Sequence, residues 1–220
     1  MRPDGTEQRQ LTINAAVNGT PAVTPDNRHI VFMSNRTGAF QVWRMDIDGG
    51  NQIQLTGGAG KNFPAITPDG KWVLYNSTDD WHLWRVSIDG GECFRVTEYP
   101  ALYPSVSPDG KMIACVGRNL LIIIPFEGGE PVKRVEPGGW GFLGTRLKWT
   151  PEGSALRYAA ERDGVRAIIS QLVNGGAPEK LADFNEDILF DFGYSTDGRL
   201  LAVTRGGWQH DVVLINGLNR

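Results

Sequence analysis

Short apolar segments separated by polar turns recur along the whole chain. Residues 21–56, PAVTPDNRHIVFMSNRTGAFQVWRMDIDGGNQIQLT, contain four such segments, and residues 64–97 repeat them. The second segment is apolar on both faces, as in Trp72–Tyr75, which is typical of a strand packed between two layers. The fourth segment is more polar, as expected of an outer edge strand. The pattern predicts antiparallel sheets of four strands each.

A turn of the form Thr/Ser-Pro-Asp-Gly stands between the first two segments of each unit. It recurs at intervals of 40 to 45 residues, which is the length expected of a four-stranded propeller blade. Proline presets the backbone of such a turn, and glycine and aspartate favour the reversal. We therefore interpret the acidic residue of each copy as a turn former and not as a catalytic acid. These residues are Asp26, Asp69, Asp109, Glu152 and Asp197.

The predicted fold is all-β, a single β-propeller of five blades. Residues 4–12, DGTEQRQLT, align with residues 48–56, DGGNQIQLT, so the N-terminal strand is expected to complete the last blade beside residues 211–215. That pairing would hide two sheet edges. A ring closed in this way predicts a monomer, whereas a fragment of a longer ring predicts a dimer that closes between chains. The blades are 20–56, 63–97, 103–136, 145–182, and 188–215 with 6–12.

Charge and hydropathy exclude several partners. The net charge of -3 and the pI of about 5.6 give no basic field for nucleic acid or an anionic membrane surface. The longest apolar run, residues 120–126, is too short to span a bilayer. The first ten residues lack the apolar core of a signal peptide, so we expect a cytoplasmic protein unless the chain belongs to a periplasmic or extracellular envelope protein. Cys93 and Cys115 match no metal or redox spacing, and we expect free thiols.

The turns and the strands that follow them carry a family resemblance. TPDGK from Thr67 and SPDGK from Ser107, with WRMDIDGG and WRVSIDGG followed by QLT and RVT, resemble TolB-type, WD40-like β-propeller repeats. The resemblance covers the whole chain and is weakest in blades 3 and 4. The C-terminal repeat resembles the propeller region of bacterial sensor Ser/Thr kinases. The resemblance implies a binding or scaffolding propeller, and it implies no shared catalytic residues.

No catalytic residue, cofactor or metal site is predicted. His29 aligns with core-strand positions, and His82 and His210 fall in blades that are not adjacent in a five-membered ring. Residues 46–51 resemble the start of a calcium loop, but the distant bidentate glutamate of an EF-hand is missing. The alternative is an enzyme, a lyase or hydrolase acting on a small molecule or carbohydrate in the central channel.

Candidate binding residues lie on the inner strands and on one rim. Because side chains alternate along a strand, Phe63, Tyr103, Arg146 and Asp191 are expected at the channel mouth, with Lys148 deeper. The three charged residues either form a ligand pocket or pair with one another and plug the channel. Aromatic side chains in the rim loops favour protein or peptide recognition, although Trp140 would alternatively cap blades 3 and 4. The predicted partner-binding residues are Phe63, Trp81, Tyr99, Tyr103, Trp140, Arg146, Lys148 and Asp191.

Overall fold

The computed structural model describes residues 6, 8–13, 17–144, 147–184, 188–194 and 201–206. Within these residues all regular secondary structure is β-strand, arranged in antiparallel sheets. The predicted all-β propeller is therefore confirmed. A search of the same residues for a helix long and apolar enough to cross a membrane finds none.

Nineteen strands are formed within the described residues. Those of blades 1 and 2 are β1 (Asn18–Val23), β2 (His29–Ser34), β3 (Gln41–Asp46), β4 (Ile53–Gln54), β5 (Lys61–Ile66), β6 (Trp72–Ser77), β7 (Leu83–Ser87) and β8 (Cys93–Arg95). Those of blades 3 and 4 are β9 (Leu102–Val106), β10 (Met112–Gly117), β11 (Leu120–Pro125), β12 (Lys133–Val135), β13 (Gly141–Phe142), β14 (Lys148–Trp149), β15 (Ala155–Arg162), β16 (Val165–Leu172) and β17 (Glu179–Asp183). The last two are β18 (Ile188–Tyr194) and β19 (Leu201–Gly206).

Each of the first three blades is a meander in which neighbouring strands in sequence are neighbours in the sheet. In blade 4 the inner strand is split, since β13 and β14 both pair with β15. β18 and β19 form a two-stranded sheet. Four blades are thus described in full, and the total of five stays a prediction.

The expected strand over residues 6–12 is not observed. None of its described residues, 6 and 8–12, belongs to a strand. Its expected partner, residues 211–215, lies outside the described residues, so their pairing stays a prediction. Leu11 instead packs against blade 1, on a cluster of buried side chains. These are Ile30, Phe32, Trp43 and Met45.

Leu11 occupies the position on blade 1 that the residue after the outer strand of blade 2 occupies on blade 3. Its backbone oxygen lies 3.2 Å from the point where a Cβ of Gly49 would stand, and Gln52 donates a hydrogen bond to the same oxygen. The equivalent residue in blade 2, Val96, lies against Gly128 of blade 3 in the same way. Leu11 therefore covers part of the face of blade 1 that a preceding blade would cover.

Apolar side chains between successive blades form the core. Leu74 and Leu83 of blade 2 pack against Ile113 and Ile124 of blade 3, and all four are fully buried. A larger cluster joins blades 3 and 4, and a smaller one joins blades 1 and 2. The both-sided apolar pattern of the second strands follows from this packing, because each blade is covered on two faces.

The repeated turns have the chemistry expected from their sequence. The Thr67 hydroxyl donates a hydrogen bond to Asp69 (2.5 Å) and accepts one from the backbone N–H of Trp72 (3.0 Å). Asp69 also accepts a hydrogen bond from the N–H of Lys71. Equivalent bonds link Thr24 with Asp26, and Ser107 with Asp109. The interpretation of these three aspartates as turn formers is confirmed.

Candidate functional site

The inner strands of blades 1, 2 and 3 share a bulge that redirects side chains at the channel end. In blade 2 the consecutive residues Phe63 and Pro64 lie opposite the single residue Tyr75. Proline is tolerated here because the inner strand is a sheet edge. A bulge of this kind bends the strand and re-aims the extra side chain. The same two-against-one arrangement occurs at Thr20-Pro21 and Tyr103-Pro104.

An aromatic cavity of about 300 Å³ opens between blades 2 and 3 at this end. We call it the aromatic pocket. The rings of Phe63 and Tyr103 meet edge to face with their centroids 4.5 Å apart. Trp81, in the loop between the second and third strands of blade 2, is 42% exposed. The lining residues are Phe63, Trp81, Pro100, Leu102, Tyr103, Val116, Gly117 and Arg118.

Among the described residues, nine other than glycine have a positive φ, and four of them line the aromatic pocket. Phe63, Trp81, Tyr103 and Arg118 have φ values of 55°, 59°, 56° and 49°. Such left-handed conformations are uncommon for residues other than glycine and are a genuine outlier for bulky side chains. They persist only where the surrounding structure enforces them, and they cluster at functional sites. The pocket walls are therefore held in place by the backbone and not only by side-chain packing.

Tyr103 connects the aromatic pocket with blade 4. Its hydroxyl lies 2.9 Å from the point where a Cβ of Gly144 would stand, so glycine leaves room for it. Burial raises the pKa of Tyr103. The hydroxyl therefore stays protonated at neutral pH and can donate a hydrogen bond.

A second cavity, of about 340 Å³, adjoins the first and shares Pro100, Gly117 and Arg118 with it. We call it the arginine pocket. Burial raises the pKa of Tyr99, which forms one wall, to about 12. The hydroxyl of Tyr99 is buried without a hydrogen-bond partner among the described residues. The lining residues are Tyr99, Pro100, Gly117, Arg118, Leu120, Ile122 and Arg134.

The predicted binding residues divide into two groups in the structure. Phe63, Trp81 and Tyr103 meet in the aromatic pocket, and Tyr99 lines the adjoining one. Trp140 is only 6% exposed and belongs to the core between blades 3 and 4. This burial agrees with the alternative role of Trp140 as a cap on blades 3 and 4, and a role in partner binding stays a prediction. One face of its ring carries the Arg162 guanidinium group, 4.6 Å from the ring centre.

The charged residues expected at the channel mouth are described only in part. Arg146 lies outside the described residues. Lys148 is half-buried in β14, opposite Arg157 of β15. Asp191 is exposed in β18 and accepts a hydrogen bond from the backbone N–H of Phe192. A pocket or a plug formed by Arg146, Lys148 and Asp191 stays a prediction.

Sequence reasoning missed Arg118 and Arg134. Arg118 lies in a two-residue turn with Asn119, both at positive φ, that joins β10 to β11. The equivalent connection in blade 2 runs from Ser77 to Leu83 and is longer. The shorter turn lowers the wall of blade 3 and brings Arg118 beside the aromatic pocket. The shorter spacing between the two apolar segments of blade 3 was the available signal in the sequence.

The histidines and the calcium-like stretch have local roles in the described structure. His82 is paired with Asp80 at 3.2 Å, and His29 lies 3.5 Å from Asp46. His210 lies outside the described residues. Asp46 accepts a hydrogen bond from the Asn51 side chain, within a β-hairpin turn. Among the described residues, no group of three or more His, Cys, Asp or Glu side chains is arranged to hold a metal ion. Cys93 and Cys115 are free thiols.

Comparison with known proteins identifies the family. The model of the TolB beta propeller domain matches residues 1–128, which is more than half of the chain. The chain therefore belongs to the TolB β-propeller domain family. An uncharacterized protein of Agrobacterium fabrum is 30% identical in an alignment of 153 residues that covers 61% of this chain and 52% of that protein. The chain thus spans about half the length of this curated relative.

Solved structures support the same fold. A protein assigned as TolB from Agrobacterium tumefaciens is similar with a TM-score of 0.74 and 19% identity, over 90% of this chain and 78% of the other. A puromycin hydrolase is similar with a TM-score of 0.60 and 18% identity, over 84% of this chain and 33% of the other. At these identities the likeness shows the fold alone, and the fold is shared by an enzyme.

Proposed function

We propose that the chain is a non-catalytic binding module that recognises a peptide segment of a protein partner through the aromatic pocket. The observation that carries this proposal is the set of four left-handed residues, Phe63, Trp81, Tyr103 and Arg118, around one cavity. Rigid aromatic walls lose little conformational entropy on binding, and partly exposed tryptophan and tyrosine are the residues that most often dominate binding energy.

The size of the aromatic pocket fits a peptide side chain. Its volume of about 300 Å³ lies at the lower end of the range for ligand pockets. It is lined mainly by apolar side chains, and Arg118 is the charged residue among those that line it. One large apolar side chain of an extended segment fills such a space, while the flanking backbone reaches the neighbouring loops.

A peptide library selected on the whole chain tests the proposal. Selected peptides are expected to bind Trp81→Ala about 5- to 30-fold more weakly, because truncating a central aromatic contact costs on the order of 1–2 kcal/mol. Phe94→Ala is the matched control, since Phe94 is 41% exposed on an outer strand, against 42% for Trp81. Isothermal titration calorimetry gives the affinities.

Two outcomes would contradict the proposal. If the selected peptides bind wild type and Trp81→Ala equally but bind Phe94→Ala weakly, the binding site lies on the outer strand of blade 2. Cleavage of the selected peptides, detected by mass spectrometry, would show an enzyme. Variant folding is checked by circular dichroism in each case.

A further inference from the structure

The arginine pocket brings two cationic side chains to one cavity. Arg118 comes from the β10–β11 turn, and Arg134 from β12, where it is paired opposite Ile122. Both side chains are exposed, and neither forms an ion pair or hydrogen bond with another described residue. Arg44 and Arg85, on the third strands of blades 1 and 2, in contrast donate hydrogen bonds to carbonyl groups of the following blade.

Among the described residues that line this cavity, two are cationic and none is acidic. Arg134 and Glu130 act on the pKa of Tyr99 in opposite directions. The Tyr99 hydroxyl adds a protonated donor that lacks a partner in the described structure. A buried donor of this kind is costly unless an acceptor reaches it.

The two cavities adjoin each other. Pro100, Gly117 and Arg118 line both, so a ligand seated among the aromatic rings lies close to Arg118. Gly117 fits closely at this junction, because a Cβ there would lie 3.2 Å from the Pro100 oxygen and 2.6 Å from Ile122 Cδ1.

We propose that the arginine pocket is a carboxylate subsite, in which Arg118 and Arg134 bind a carboxylate of the peptide whose apolar side chain fills the aromatic pocket. This inference rests on the proposed function. Guanidinium groups suit carboxylates because their N–H donors form a planar fork that matches the two oxygens. The carboxylate is either the C-terminus of the peptide or an acidic side chain beside its apolar residue.

Three peptides of equal length, two with a carboxylate and one neutral, test the subsite. The first is acetyl-Gly-Gly-Phe with a free carboxylate, the second is its C-terminal amide, and the third is acetyl-Glu-Phe-Gly amide. Titrations of the whole chain are followed by NMR through the indole signal of Trp81, assigned with Trp81→Phe. The free acid or the glutamate peptide is expected to bind about tenfold more tightly than the neutral amide, since hydrogen bonds to charged groups are the strong ones. Which of the two binds more tightly identifies the source of the carboxylate.

Variants show whether the arginines cause this difference. Arg118→Gln and Arg134→Gln should each remove most of the acid-to-amide ratio. Arg134 does not line the aromatic pocket, so Arg134→Gln should leave amide binding unchanged. Arg28→Gln, whose side chain is 80% exposed at the opposite end of the blades, should change neither value. Raising the salt concentration should reduce the acid-to-amide ratio in wild type but not in the double variant Arg118→Gln/Arg134→Gln.

The outcomes separate this inference from the proposed function. If the amide and both acids bind equally to wild type, or if the double variant keeps the ratio, the carboxylate subsite is wrong while the aromatic pocket stands. If none of the three peptides binds at millimolar concentration and selected library peptides ignore Trp81→Ala, both proposals fail. Circular dichroism confirms that each variant is folded.

Discussion

Thr67 shows how one side chain connects the two halves of a turn. Its hydroxyl accepts the N–H of Trp72, at the start of the second strand, and donates to the carboxylate of Asp69. That donated bond is the main cause that lowers the pKa of Asp69, with the N–H of Lys71 acting in the same direction. Because the folded-state pKa is below the unfolded value, ionised Asp69 stabilises the fold above about pH 4, and this contribution is lost as the pH falls through the lowered pKa.

Thr67→Val should therefore destabilise the fold in a pH-dependent way. At pH 7 we expect a loss of about 1–2 kcal/mol in the free energy of unfolding, because the buried N–H of Trp72 loses its side-chain acceptor and Asp69 loses a donor. The difference from wild type should shrink as the pH falls below about 4 and Asp69 becomes protonated. Urea denaturation across this range gives the values.

Thr97→Val is the matched control for this prediction. Thr97 is also buried, but its hydroxyl bonds the N–H of Leu83 and the carbonyl of Tyr99, neither of which titrates. Its effect should be independent of pH over the same range. If the loss of stability caused by Thr67→Val is also independent of pH, the hydrogen bond to Asp69 contributes nothing to stability.

At the scale of elements, an arginine links each of the first two blades to the next. Arg85 on β7 donates to the carbonyl of Phe126 and pairs with Glu127 at 2.6 Å. Its guanidinium group also lies over the rings of Trp72 and Phe126. Arg44 on β3 makes the equivalent contacts with Ile88 and Asp89. In blade 3 the equivalent position is Ile123, so the junction of blades 3 and 4 is apolar.

Arg85→Met should lower the free energy of unfolding by about 1–2 kcal/mol, because it removes the bond to a carbonyl of the next blade and the ring contacts. Arg85→Lys should restore little, since an ammonium group lacks the planar fork that serves both acceptors. Glu127 is largely exposed, so Glu127→Gln should cost much less. Urea denaturation compares the three variants, and Arg28→Met is the control. If Arg85→Lys is as stable as wild type, the positive charge alone accounts for the contribution of Arg85 to stability.

The strands and turns were predictable from sequence because their signals are local. Both-sided apolar strands and the Pro-Asp-Gly turn follow from side-chain periodicity and backbone preference within a few residues. The left-handed backbone at Phe63 was not predictable, since phenylalanine disfavours it and only the bulge opposite Tyr75 imposes it. The burial of Trp140 depends on packing between two blades, and the position of Arg134 depends on the register of an outer strand. Both are long-range properties.

For the whole molecule, closure of the ring depends on what covers the face of blade 1 against which Leu11 packs. Leu11 packs there on Phe32 and Trp43, which are both buried, and touches Gly49. Leu11→Ala should lower the free energy of unfolding by about 1–2 kcal/mol, because apolar surface is lost from a packed position. Ile13→Ala should change it by less than about 0.5 kcal/mol, since Ile13 is 66% exposed. If Leu11→Ala and Ile13→Ala lower the free energy of unfolding equally, the packing of residues 8–12 does not stabilise the ring.

The concentration dependence of unfolding then separates closure within one chain from closure between two. A segment that covers its own blade 1 makes the unfolding midpoint independent of protein concentration, whereas a segment exchanged between chains makes it rise with concentration. We expect no dependence, and a monomer by light scattering, because Gln52 of the same chain bonds the Leu11 carbonyl and Thr12 accepts a bond from Asn18. Two results together would show that two chains complete each other's rings. The unfolding midpoint of wild type would rise with protein concentration, and that of Leu11→Ala would be low and independent of it.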